Sequence, residues 1–222
     1  AVSFVGKLLH KESPKRALRE ALQAGILAGG LAHVGYCIAG RNPEWALAGK
    51  ALAQKASLTT RRSLDGLPVF DGSLATNWEL TYAMVHFKWD GKPHLELDAI
   101  NAAFAGYYFA KGEPYSFDAK RTLLSGSMVF QNHNPPPGLL GFYVPGVVWI
   151  DSSRVEDRSI WGHELVHSFQ AERGTAIHDW NVGPLRFNWL VFASGVPALL
   201  AGWPDHDQRL HELEADGYSG TP

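Results

Sequence analysis

Hydrophobic and polar positions divide this chain into an N-terminal stretch with helical texture, a middle with strand texture, and a C-terminal third where helix returns. Residues 14–57 predict two helices. Ser13-Pro14 opens the first, an N-cap followed by a proline whose fixed φ suits the first helical position. Asn42-Pro43 opens the second, and Arg61-Arg62 lies beyond its end. Within the first helix, residues 22–40 carry no formal charge and are flanked by Arg19 and Arg41. At 1.5 Å per residue that run is about 28 Å long, close to the roughly 30 Å hydrocarbon core of a bilayer. Gly25-x-x-x-Gly29 has the small-residue spacing of packed transmembrane helices, whereas Gln23, His33 and five glycines lower the hydrophobicity. Two outcomes stay open: a membrane-embedded helix, or a helical hairpin packed on the rest of the chain.

Residues 65–133 predict antiparallel strands. The run 78–89 is rich in β-formers and ends at Asp90-Gly91, a hairpin turn signal. A second apolar run covers 94–110, and a third candidate strand covers 121–131. Pro135-Pro136-Pro137 makes a stiff loop. Residues 141–150 are an apolar strand interrupted by Pro145-Gly146, and proline is tolerated at a sheet edge but not in its centre. Residues 142–148 are therefore a candidate edge strand, open to an extended substrate through main-chain pairing, with Tyr143 and Val144 as substrate-binding positions. Residues 189–203 are apolar, and Pro197 interrupts them; they read as a core helix. The domain organisation expected is a helical hairpin over 1–64 and a catalytic domain over 65–222.

Composition removes some function classes. A net charge of −2, with basic clusters confined to Lys15-Arg16-Arg19 and Arg61-Arg62, argues against nucleic-acid binding. A single cysteine, Cys37, excludes an internal disulfide and a thiolate zinc site. Eight tryptophans fit an enzyme core, a protein interface or a membrane boundary.

The chemistry sits at His163-Glu164-Leu165-Val166-His167, an H-E-x-x-H motif. On a helix, i and i+4 share a face, so His163 and His167 are spaced to grip one Zn²⁺ while Glu164 reaches the metal's water. Ile160, Trp161, Leu165, Val166 and Phe169 supply the apolar pattern of a buried helix. A catalytic zinc usually takes three protein ligands and keeps an open position. The third is expected in His211-Glu212-Leu213-Glu214-Ala215-Asp216. If that segment is helical, Glu212 and Asp216 share a face and Glu214 points nearly the opposite way. Glu212 is the expected third ligand and Glu214 the alternative. Asp216 is expected to accept the free ring N–H of a ligating histidine, that of His163, which fixes its tautomer. Zinc lowers the pKa of its water towards about 7, and Glu164 takes the proton and passes it to the leaving amine. His133, His178 and His206 read as surface or loop histidines; Tyr218, two residues past Asp216, is a further substrate-binding candidate.

H-E-x-x-H followed by E-x-x-x-D resembles the gluzincin group of zinc metallopeptidases, over residues 140–220 and in the motifs only. The resemblance implies an α+β, zincin-like domain: a small antiparallel or mixed sheet whose edge strand runs beside the active-site helix, with the third ligand on a later helix. It implies Glu164 as general base and a peptide or protein as substrate. The interval from His167 to Glu212 is longer than in thermolysin-like members, and no His or Tyr motif marks a transition-state stabiliser. A second expectation, from the apolar N-terminal helix and the tryptophans, is a non-catalytic accessory subunit of a membrane protein assembly that keeps a zincin-like fold. The compartment expected is the bacterial cell envelope, with membrane anchoring through residues 22–40.

Overall fold

The computed structural model describes Lys7 and residues 13–70, 72–144, 146–174, 179–182, 184–188 and 210–220; the side chains of 73, 74, 171, 173, 174, 179–182, 186–188 and 210–214 lie outside that description. The first helix, α1 (Pro14–Arg41), starts where Ser13 sits extended before Pro14. A 3₁₀ turn (Pro43–Trp45) leads into α2 (Ala46–Leu64), which runs back along α1. It continues past the expected end and takes Arg61 and Arg62 into its last turn. The buried face of α1 is almost all small: Ala17, Ala24, Ala28, Ala32, Gly35 and Ala39. That spacing lets the backbones approach closely. A Cβ built on Gly35 would lie 2.5 Å from the Gly49 carbonyl oxygen, and one on Gly49 would lie 2.5 Å from that of Gly35.

After the short α3 (Gly72–Thr76) come β1 (Trp78–Tyr82), β2 (Val85–Trp89) and β3 (Pro93–Asp98). The expected strand 78–89 is therefore a hairpin, turning at Ala83, whose φ is +54°. The Asp90-Gly91 signal marks the next turn, between β2 and β3. The expected strands 94–110 and 121–131 are each half helix. In the first, β3 gives way to α4 (Ala99–Lys111), because the Asp98 carboxylate caps the helix by accepting from Asn101 N at 2.9 Å. In the second, β4 (Tyr115–Phe117) precedes α5 (Ala119–Ser125). Asp118 caps α5 in the same way at 2.9 Å, and Gly126 ends it in the left-handed region, before β5 (Met128–Asn132).

The apolar run 141–150 is a second hairpin, β6 (Gly141–Val144) and β7 (Val147–Asp151). Then follow α6 (Arg158–Gly174), β8 (Asp179–Val182), β9 (Leu185–Asn188) and α7 (Leu210–Ser219). The strands form two sheets, ordered β1-β2-β3-β9-β8 and β4-β5-β7-β6. Each is mixed, with parallel pairs β3–β9 and β5–β7. The molecule is α+β.

Burial follows the pleat of β7, where successive side chains point to opposite faces. Val148 and Ile150 join Ala28, Ala32, Tyr36, Ala53, Leu165, Val166 and Phe169 in one core. Val147 and Trp149 join Met128, Phe130, Ala105 and Tyr108 in another. The four-stranded sheet thus lies between a layer of α1, α2 and α6 and a layer built on α4. The N-terminal hairpin is the back wall of α6.

Candidate functional site

Asp157 holds the first turn of α6, its Oδ1 accepting from Ser159 N at 3.1 Å and from the Ser159 hydroxyl at 2.7 Å. Leu165, Val166 and Phe169 are buried in the core, which fixes the rotation of the helix. His163 and His167 then emerge one turn apart beside β6 and α7. Their Nε2 atoms are 3.0 Å apart, with ring planes at 84°. His167 is buried; His163 keeps an accessible edge.

The outer nitrogens explain why the inner ones face each other. His163 Nδ1 is 3.0 Å from Asp216 Oδ1, on α7. A carboxylate only accepts, so its approach favours a proton on this nitrogen. His167 Nδ1 is 2.9 Å from Gln170 Oε1, and donation to that amide oxygen gives the same tautomer. Both Nε2 atoms then present lone pairs to each other at 3.0 Å. Two such acceptors repel unless a cation lies between them. Tetrahedral coordination at Zn–N distances of about 2.0–2.1 Å sets two nitrogens roughly 3.3 Å apart. The two imidazole nitrogens and their spacing are compatible with two of the ligands of a zinc ion.

Glu164 is buried on the β6 side of the helix. A Cβ on Gly141 would meet its Oε1 at 2.6 Å and its Cγ at 2.7 Å, so the carboxyl group occupies the space that a side chain at 141 would need. Tyr143, two residues along β6, stacks on the His167 ring, with centroids 5.5 Å apart and planes at 20°. Among the described residues β6 is an edge strand, paired only with β7. The expected edge strand 142–148 is corrected accordingly: Gly141–Val144 is the edge, and Val147 and Val148 lie in an interior strand.

The remaining positions separate. Val144 packs with the core on the other face of the sheet, as the alternation along β6 requires. The Tyr218 hydroxyl is 2.8 Å from His33 Nδ1, and its ring meets the His33 and Tyr36 rings edge-on, which turns it towards α1. His133 is exposed, its Nε2 2.8 Å from the Ser116 hydroxyl. The side chains of Glu212 and Glu214, the expected and alternative third ligands, lie outside the described residues; position 212 lies one turn before Asp216 on α7. His178, His206 and residues 189–203 are outside the described residues altogether. Among the described residues no group of three His, Cys, Asp and Glu side chains converges.

Two residues at the site were not foreseen. Gln170 was legible, since it stands three positions after His167 on the same helical face. Gly141 was not, because nothing local says which residue will lie against Glu164. No family model, curated protein or solved structure matches the chain.

Proposed function

We propose that this protein is a zinc-dependent hydrolase of peptide bonds with a gluzincin-like site in a zincin-like domain. The observation that carries the reading is the facing pair of Nε2 atoms at 3.0 Å, with Asp216 and Gln170 on the outer nitrogens and Glu164 alongside. His163, His167 and Glu212 would hold the metal. When bound, zinc acts as a Lewis acid that acidifies water and polarises a carbonyl. Glu164 takes the proton from the attacking water and delivers it to the leaving amine. Its place against Gly141 puts that transfer beside the edge strand, where an extended peptide adds by main-chain pairing. Asp216 holds His163 in its ligating tautomer, and replacing such a partner typically costs 10–100-fold in metal affinity. Tyr143 shields the His167 ring.

Metal analysis and peptide-library cleavage test this together. Wild type is expected to bind one zinc per chain, and His163→Ala to lose it. Glu164→Gln should retain zinc and lose at least about 10²-fold in turnover. Stoichiometric zinc in His163→Ala, or full turnover in Glu164→Gln, refutes the assignment.

We further propose that the protein works at a membrane of the bacterial cell envelope through α1. Among the described residues this is the one helix long and apolar enough to cross a bilayer, and it lies near the N-terminus. The same feature favours a second reading, a non-catalytic accessory subunit of a membrane assembly. A wild type that binds zinc but cleaves nothing in the library would favour it.

A further inference from the structure

Although α1 meets the length of a membrane span, its surroundings do not suit one. α2 lies along it, with Gly49 against Gly35 near one end and Leu58 clustered with Ala24 near the other. α2 is strongly polar. Lys50 pairs with Glu172 at 2.8 Å, Gln54 bonds the same carboxylate at 2.5 Å, Lys55 reaches the Asn77 carbonyl, and Arg61 pairs with Glu79. Sinking α1 into hydrocarbon would drag these groups in with it, or strip α1 from its core.

The opposite face of α1 is different. Leu18, Leu22, Ile26 and Val34 are 51%, 58%, 76% and 48% exposed. Between them Gly25, Gly29 and Gly30 face open space, so the Gly25-x-x-x-Gly29 spacing is not used in the contact with α2.

The exposed charges of α1 have one sign. Lys15, Arg16 and Arg19 are exposed at its N-terminal end. Glu20, the one acidic residue of α1, is 15% exposed and engaged by Lys7 and Arg16, each at 2.8 Å. At 100° per residue Lys15 and Arg19 fall on the same side as Leu22 and Ile26. An apolar stripe with interleaved cations, and with no exposed acid among the residues of α1, is complementary to anionic headgroups over acyl chains.

We infer that α1 docks the protein on an anionic lipid surface, lying in the interface on its Leu18–Leu22–Ile26 face rather than crossing the bilayer. This rests on the membrane association proposed above and is independent of the metal. The side chains that meet lipid are already exposed, and among the described residues α7 contacts α1 only further along, from His33 to Gly40, so docking needs no rearrangement of the catalytic helix.

Vesicle co-sedimentation of the full chain tests it, comparing pure phosphatidylcholine with mixtures containing phosphatidylglycerol. Binding should require the anionic lipid, weaken with salt, and be released by carbonate without detergent. Ile26→Asp should weaken it by about ten-fold or more, since an exposed side chain is changed and the core is not. Lys15→Glu with Arg19→Glu should weaken it by roughly five-fold per charge, with an unchanged circular dichroism spectrum. Protein that stays with the vesicles through carbonate crosses the bilayer, which overturns docking but keeps the membrane association. No binding to anionic vesicles at low salt overturns both. Dimerisation lost in Ile26→Asp, without vesicle binding, makes the face a contact between two copies and overturns it as well.

Discussion

At the scale of single residues the site depends on what a side chain would displace. Gly141 has no conformational need to be glycine, yet a methyl group there would contact the Glu164 carboxyl at 2.6 Å. Gly141→Ala is therefore expected to move the base without touching the ligands. Zinc stoichiometry should remain and turnover should fall by about 10-fold or more, as positional errors near 1 Å do. An alanine variant with wild-type kcat and KM would show that Glu164 tolerates displacement. The histidine pair and the Asp216 partner were legible in sequence because helical geometry ties i to i+4, and one turn of α7 suffices to name a carboxylate for His163. Tyr143 was legible through the strand before the motif. Val144 was not, because the pleat decides which neighbour faces the site, and the hairpin turn sets the phase of the pleat.

At the scale of elements, the close pairing of α1 with α2 depends on glycines that are not alike. Gly35→Ala would press a methyl group onto the Gly49 carbonyl and is expected to destabilise by about 1–3 kcal/mol, or to spread the pair. Gly25→Ala meets nothing within 4 Å and should instead add up to about 1 kcal/mol by restricting the unfolded chain. Urea unfolding of the two variants distinguishes the faces; equal effects would mean that the packing described here is wrong. The helical hairpin itself was legible from Ser13-Pro14 and Asn42-Pro43. The middle of the chain was misleading for a physical reason. Apolar residues recur through 94–110 and 121–131 whether the backbone is strand or helix, and the deciding signals are single capping aspartates, Asp98 inside the first run and Asp118 just before the second.

For the whole molecule, the layers are joined by a polar group in the interior. Lys50 on α2 and Glu172 on α6 are both buried, and Lys50 also donates to the Gly126 carbonyl at 2.5 Å and to the Ser127 hydroxyl at 3.2 Å. Burial raises the Glu172 carboxyl above its ordinary value against the pull of Lys50 and Gln54. Removing one partner strands the other: Lys50→Ala is expected to cost about 3–5 kcal/mol, whereas Lys50→Met with Glu172→Leu should come close to wild type. A double-mutant cycle in urea checks this, and a harmless Lys50→Ala would exclude the pair as a structural tie. Neither this pairing nor the parallel contact of β3 with β9 was legible, because each joins segments far apart in sequence whose local patterns give no hint of partner. The back wall of α6 has a further consequence for the nascent chain. α1 and α2 leave the ribosome before α6, and their core partners Leu165, Val166 and Phe169 are made about a hundred residues later. Until then the alanine-lined faces have little to bury against, and the charges of α2 lack their acidic partner on α6. The hairpin is thus made well before the motif helix it supports, and the candidate site can be completed only once that helix is made.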